Sequence, residues 1–259
     1  MEALLQTKGI CKHFGGLKAV NDVGITVAKG QIFGIIGPNG AGKTTFFNVL
    51  TGSYQATAGE VFFKSIPITN QPPEKVSRIG IARTFQNIKL FKYMTVLDNV
   101  KIGFHSRTKS RIWDVMLHSD RYQKDEAFAR EEGMAVLQRV GLADLADELA
   151  LNLPYGTQRR LEIARALATN PDLLLLDEPA AGMNPSETAS LIQFIRKLNE
   201  TGLTIIVIEH DMKLIMTLCD RIVVLNHGEK ICEGGPKEVQ CNRDVIEAYL
   251  GKGTIAGQA

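Results

Sequence analysis

The stretch Gly37-Pro38-Asn39-Gly40-Ala41-Gly42-Lys43-Thr44, followed by Thr45, most constrains what this chain can fold into. It fits the pattern G-x-x-x-x-G-K-[ST], and its flanks supply the context the pattern needs. Before it, Gln31-Ile32-Phe33-Gly34-Ile35-Ile36 is apolar and rich in strand formers, so it reads as a buried strand. After it, Thr44 to Leu50 reads as a helix whose N-terminus points back at the loop. Glycines let the backbone wrap a polyphosphate, so that several N–H groups and the helix dipole converge on it. Lys43 adds a mobile positive charge for the outer phosphates, and the Thr44 hydroxyl can ligate Mg²⁺. Strand, phosphate loop and helix in this order predict an α/β protein that binds a nucleoside triphosphate.

Composition sets the body that carries the loop. At 259 residues and 44% hydrophobic content, the chain can bury a substantial core as one large domain or two intimate lobes. Thirty Lys+Arg against 28 Asp+Glu give a net charge of +2, which is no electrostatic footprint for nucleic acid. Cys11, Cys219, Cys232 and Cys241 lack C-x-x-C spacing and read as reduced thiols. No apolar run is long enough to span a bilayer and the N-terminus has no signal-peptide core, so a cytoplasmic protein is expected.

In chain order, Leu4 to Val27 alternates apolar and polar residues between glycine turns and predicts antiparallel strands. Phe14, before Gly15-Gly16, offers a ring either to a flat base or to core packing. Gly59 to Ile68 predicts a strand pair, Glu74 to Arg78 a short helix, and Ile79 to Phe85 a strand ending at Gln86. From Met94 to about Gly141 the pattern is mostly helical, with Trp113 and Met116 expected on one apolar face. Leu153-Pro154-Tyr155-Gly156-Thr157 breaks the pattern, and Gln158 to Leu167 resumes it as an amphipathic helix. Four leucines then end in Asp177-Glu178-Pro179, a buried parallel strand that delivers carboxylates to its C-terminal edge. A helix from Pro185 to Leu198, a strand from Leu203 to Ile208, a helix from Met212 to Cys219 and a hairpin around Asn226 to Glu229 complete the order. Thr254 to Ala259 is expected to fray.

Nucleotide chemistry needs further groups, and the chain offers them at strand ends. Asp177 closes an apolar strand, where a carboxylate can hold Mg²⁺ or its water. Glu178 beside it can take a proton from a water that attacks the γ-phosphoryl group. His210 follows another buried strand; such a histidine either reaches the γ-phosphate or is structural. Gln86 can ligate the metal or orient water, and means little alone.

Phosphate loop, Gln86, Leu153 to Gln158, the leucine run with Asp177-Glu178, and His210, in that order, resemble the nucleotide-binding subunit of ATP-binding cassette (ABC) transporters. The resemblance spans Leu4 to Leu250. It implies ATP and Mg²⁺ as ligands, with Phe14 stacking on adenine and Gly37, Pro38, Asn39, Gly40, Ala41, Gly42, Lys43, Thr44 and Thr45 holding phosphates. Gln86 then touches the metal together with Thr44 and Asp177, and senses the membrane partner. Leu153, Pro154, Tyr155, Gly156 and Thr157 become the signature that closes on the ATP of an opposite subunit. Glu178 becomes the catalytic base and His210 the switch histidine. Two departures stand out: Asn184 replaces the Asp usual in the loop after Glu178, and Pro154 replaces the Ser usual in the signature.

Phe14-Gly15-Gly16-Leu17, Arg83-Thr84-Phe85-Gln86, the charged insertion and Tyr155-Gly156-Thr157-Gln158-Arg159-Arg160 are similar to branched-chain amino-acid importers. That resemblance implies the larger of two ATPases in a head-to-tail dimer, two membrane permease subunits and a solute-binding protein, with the ATPase peripheral on the inner face of the membrane. Urea or amide import, lipopolysaccharide export and a non-transport ATPase of the same family are the alternatives. The fold expected is an α/β cassette. Residues 1–84 and 166–259 form a mixed, mainly parallel sheet core with an antiparallel subdomain, and residues 85–165 form an inserted helical subdomain.

Overall fold

A computed structural model describes residues 2–106, 112–117 and 119–250. The described residues form a five-stranded antiparallel sheet, a six-stranded mixed sheet and ten α-helices. The strands are β1 (Ala3–Phe14), β2 (Leu17–Val23), β3 (Thr26–Ala28), β4 (Ile32–Ile36), β5 (Ala58–Phe63), β6 (Ile66–Pro67), β7 (Ile81–Arg83), β8 (Leu173–Asp177), β9 (Thr204–Ile208), β10 (Arg221–Asn226) and β11 (Glu229–Gly234). The helices are α1 (Lys43–Leu50), α2 (Pro73–Arg78), α3 (Val96–Ile102), α4 (Ile112–Met116), α5 (Asp120–Val140), α6 (Tyr155–Leu167), α7 (Pro185–Glu200), α8 (Met212–Leu218), α9 (Pro236–Cys241) and α10 (Arg243–Leu250).

The mixed sheet runs β11-β10-β4-β9-β8-β7, parallel throughout except for the antiparallel β10–β11 hairpin. The second sheet runs β2-β1-β5-β6, with β3 also on β1. Strand periodicity divides the core. Ile32, Leu174, Leu176, Ile205, Val207, Ile222 and Val224 join one apolar cluster with α3, α5, α6, α7 and α8. Phe33, Ile35, Leu173, Leu175, Ile206, Ile208, Val223 and Leu225 face the other way, into a cluster with α1 and the antiparallel sheet. Both faces are covered, which is why β4, β8 and β9 are apolar at every position apart from Gly34, Thr204 and the terminal Asp177. All the parallel strands point the same way, so the turns after β4, β8 and β9 gather at one edge.

Several elements depart from the sequence expectation. The strand expected over Ile79 to Phe85 holds only Ile81–Arg83. Ile79 closes α2 through its N–H to the Lys75 carbonyl, and Gly80 turns the chain at φ +110°. The signature helix begins at Tyr155 rather than Gln158, because Pro154 at φ −57° is already set for a helix start and accepts the first bond from Gln158 N–H. Trp113 and Met116 do not form a buried face: they are 68% and 66% exposed. Helices α9 and α10 fall in a stretch where no element was expected. The parts of the charged insertion at residues 107–111 and 118, and the tail Thr254 to Ala259, lie outside the described residues. Helix α6 runs unbroken past the expected boundary at residues 165 and 166.

Candidate active site

The phosphate loop occupies the turn from β4 into α1, and its path leaves no room for side chains at two positions. A Cβ on Gly37 (φ +153°) would lie 2.1 Å from the Leu225 carbonyl oxygen, and one on Gly42 (φ +95°) 2.2 Å from that of Ala19. The Gly228 N–H, at the tip of the β10–β11 hairpin, donates to the Ala41 carbonyl at 3.1 Å. The loop is thus pinned by β2 on one side and the hairpin on the other. Lys43 is buried and donates to the carbonyls of Gly37 (2.7 Å) and Pro38 (2.9 Å). Burial lowers its pKa, against an opposing pull from the Glu178 and Asp177 carboxylates.

These groups border a cleft of 480 Å³ lined by Asn39 to Thr45, Glu178, His227 and the start of β2 at Leu17, Lys18 and Ala19. Phe14 is not among its lining residues: the ring is 44% exposed, stands edge-on to Tyr54 at 5.5 Å, and has Lys12 above it at 4.8 Å. Lys18 and His227 carry no motif that would have marked them in the sequence, whereas Leu17 closes the Phe14-Gly15-Gly16-Leu17 run. His227 is placed by the two-residue hairpin turn at φ +48°.

Asp177 ends β8 at 3% exposure, and its Oδ2 accepts from Arg83 Nη2 at 2.7 Å. Arg83 also donates to Asn48 on α1 at 2.6 Å and lies over the rings of Phe47 and Phe85 at 5.3 and 5.5 Å. This ties the carboxylate to the helix that follows the phosphate loop, and leaves Oδ1 without a protein donor among the described residues. Glu178 adopts φ +45°, a left-handed conformation that costs a non-glycine residue about 1–3 kcal/mol. Its N–H donates to the Ile208 carbonyl at 2.9 Å, and its Oε2 accepts from Gln86 Nε2 at 2.9 Å. His210 Nδ1 stands 3.8 Å from carboxylate oxygens of both Glu178 and Glu209, with the ring 60% exposed. Glu209, directly after β9, is 1% exposed and accepts from the N–H groups of Ala180 (2.8 Å) and His210 (3.2 Å). Burial raises its pKa above the usual carboxylate range.

The site therefore brings Lys43, Glu178, Gln86 and His210 together, with Asp177 beside Glu178 at the end of β8. Looped N–H groups, an ammonium and an exposed Thr44 hydroxyl suit a polyphosphate; the free Asp177 oxygen, Thr44 and Gln86 are oxygen donors that suit Mg²⁺. The donor set and the close-wound, glycine-dependent loop fit both ligands. The signature residues lie elsewhere. Pro154, Gly156 and Thr157 line a cleft of 280 Å³ shared with Met183 and the start of α7, and none of its lining residues borders the phosphate loop's cleft. Leu153 is buried, and Tyr155 donates its hydroxyl to the Ala181 carbonyl at 2.9 Å. Asn184 caps α7, accepting from the N–H groups of Ser186 and Glu187, a local role that Asn and Asp fill about equally.

The chain is similar to known proteins over nearly all of its length. Residues 20–181 match the family described as ABC transporter, and residues 229–254 match that described as branched-chain amino acid ATP-binding cassette transporter. The high-affinity branched-chain amino acid transport ATP-binding protein LivG of Salmonella typhimurium is 44% identical over 97% of this chain and 99% of its own length. The ADP conformation of an ATP-binding cassette of an ABC transporter superposes with a TM-score of 0.86 at 36% identity, covering 97% of this chain and all of that one. A dimeric bacterial ABC transporter cassette gives 0.74 at 26% identity, covering 90% and 98%. With the family pattern covering more than half of the chain and this relative nearly all of it, the chain belongs to the ABC transporter family.

Proposed function

We propose that the chain is the ATP-hydrolysing subunit of an importer of branched-chain amino acids. The single observation that carries the solute class is the 44% identity, end to end, to a branched-chain amino acid transport ATP-binding protein. ATP enters the 480 Å³ cleft, where Lys43 leaves the Gly37 and Pro38 carbonyls for the β- and γ-phosphates. Thr44, Asp177 and Gln86 would hold Mg²⁺, which would supply positive charge against the phosphates. Glu178 accepts a proton from water as the water oxygen bonds to the γ-phosphorus and the bond to the β-phosphate oxygen breaks, giving ADP and phosphate. His210, whose Nδ1 stands 3.8 Å from the same carboxylate, contacts the γ-phosphate. We assign Phe14, 44% exposed, to stacking on the adenine.

The separation of the two clefts supports a head-to-tail dimer in which Leu153 to Thr157 close on a second subunit's ATP. We assign that second subunit to a different ATPase, and the assembly to two permeases with a solute-binding protein outside. Among the described residues no helix is long and apolar enough to cross a membrane, in keeping with a peripheral place on its inner face. The helical subdomain at 85–165 offers exposed Phe91 and Tyr93 to a permease. Deleting the chain from its host and measuring uptake of labelled leucine, isoleucine and valine tests the assignment. Loss of all three is expected; unchanged amino-acid uptake with lost urea or amide uptake would overturn it.

A further inference from the structure

Arg159 is the largest fully buried side chain among the described residues, with 0% exposure. A buried guanidinium is costly unless it is paired and fully hydrogen-bonded, so its partners matter. It pairs with Glu162, one helical turn on, at 2.8 Å. Its other contacts leave the helix: Nη1 donates to the Phe85 carbonyl at 2.8 Å and Nη2 to the Gln86 carbonyl at 2.9 Å. Glu162 Oε1 accepts from the Lys89 N–H at 3.3 Å, and Arg165 donates to the Lys89 carbonyl. Helix α6 thus grips residues 85–89 at four backbone groups. A planar guanidinium suits this task, because it spans two successive carbonyls and a carboxylate at once where an ammonium cannot.

The gripped loop is the one whose Gln86 side chain donates to Glu178 at 2.9 Å. The other end of α6 meets the same acid from behind: Tyr155 donates to the Ala181 carbonyl, and the Ala181 N–H donates to the Glu178 carbonyl at 3.2 Å. We infer that Arg159 is a positioning residue: it fixes Gln86 against Glu178, so that a displacement of the first turn of α6 reaches the chain's own catalytic carboxylate. The inference rests on the proposed roles of Gln86 and Glu178. It makes α6 two-faced, with Pro154 to Thr157 toward a partner's nucleotide and Arg159 toward its own.

The test uses the full-length chain with Arg159→Met combined with Glu162→Gln, which removes both charges of the buried pair together, keeps an acceptor for the Lys89 N–H and leaves only the Arg165 contact to Lys89. ATP affinity by calorimetry should stay at the native value while kcat falls roughly 10- to 100-fold, the loss expected when a catalytic group is misplaced. Gln86→Ala should lower kcat in the native background and add nothing in the clamp-free one, because Gln86 has already lost its pose. Additive losses would overturn the inference while leaving the role of Gln86 intact. A silent Gln86→Ala in the native background would instead overturn the role of Gln86 itself. Arg159→Lys guards against a folding failure: amide exchange at Lys89, whose N–H is held by the Glu162 carboxylate that Arg159 pairs with, should quicken in this variant while α1 keeps its protection, and unchanged exchange at Lys89 would overturn the clamp.

Discussion

Glu178→Gln separates base catalysis from binding more cleanly than any other change at this site. The native carboxylate accepts from Gln86 at 2.9 Å, and its side chain is 19% exposed. A glutamine carbonyl at the same place keeps that acceptor, and Gln bears the φ of +45° at the same steric cost as Glu. The fold should therefore be unchanged within about 0.5 kcal/mol. What disappears is the proton acceptor, and general-base catalysis contributes about 10²- to 10⁴-fold. At about 1.4 kcal/mol per decade, that raises the barrier by roughly 3 to 5 kcal/mol. Affinity moves the other way. Glu178 is the larger of the two negative fields acting on Lys43, so its neutralisation leaves the cleft more attractive to a polyanion. The expected outcome is ATP bound at least as tightly by calorimetry at fixed Mg²⁺, with phosphate release slowed at least ~100-fold. Native turnover would refute the assignment of the base, and weakened ATP binding would refute the electrostatic reasoning.

Other changes probe the neighbouring parts. Lys43→Ala removes the donor to the Gly37 and Pro38 carbonyls and the charge meant for the phosphates, so ATP should lose its affinity and its thermal stabilisation of the chain; unchanged calorimetric binding would refute the phosphate-loop reading. Gly42→Ala adds a left-handed strain to a Cβ 2.2 Å from the Ala19 carbonyl, and should destabilise by at least about 2 kcal/mol in urea denaturation. Glu209 has a raised folded-state pKa, so its contribution to stability is full below the usual carboxylate pKa and is lost as pH rises through the raised value. Relative to Glu209→Gln, the native chain should therefore lose stability on going from acid towards neutral pH, and parallel melting-temperature profiles would contradict the assigned titration. Cross-linkers placed at Phe91 to Met94 should capture a membrane subunit in vesicles, and capture only of ribosomal proteins or nucleic acid would point to a non-transport role.

The parts legible in the sequence are those set by short-range pattern. A run of about five apolar residues with no polar break, rich in β-branched residues or bounded by turn signals, reads as a strand covered on both faces, and β4, β8 and β9 are that. Gly37 to Thr44 declares its geometry because only glycine tolerates the approach of the Leu225 and Ala19 carbonyls. The illegible parts depend on distant partners. Arg83 finds Asp177 across 94 positions, and Arg159 reaches Phe85 and Gln86 across 74 and 73. Nothing local distinguishes Arg159, buried, from Arg160 beside it. Glu178's left-handed turn likewise has no local marker, since glutamate does not favour it. Helix α9 did carry one: Gly235-Pro236 followed by Glu238, whose carboxylate accepts from the Gly235 N–H at 2.7 Å, is a helix start.

Pro154 is one of the two departures from the family pattern, and its geometry gives the departure a direction. It sits at the N-cap of α6 with φ −57°, makes no side-chain capping bond, and has neither hydroxyl nor N–H to offer. The first helical bond runs from Gln158 N–H to the Pro154 carbonyl, so the N–H groups of Tyr155, Gly156 and Thr157 precede the ladder and remain as donors. Contact with a partner's γ-phosphate then falls to this helix N-terminus without the serine hydroxyl usual in the family. A missing charge-assisted donor costs on the order of 1.5–3 kcal/mol, a factor of about 10 to 150 in the affinity of closure. In the proposed heterodimer the loss belongs to one site only. The phosphate loop, Glu178 and His210 of this chain face the partner's signature and make the stronger site; Pro154 faces the partner's ATP and makes the weaker one. Removing the catalytic glutamate from each subunit in turn, within the assembled transporter, should therefore cost more ATPase and uptake when Glu178 is the one removed. Pro154→Ser should raise turnover at the partner's site alone, adding both a capping acceptor and a phosphate donor. Equal losses from the two glutamates, or a greater loss from the partner's, would refute the asymmetry even if every role assigned to this chain's own cleft held.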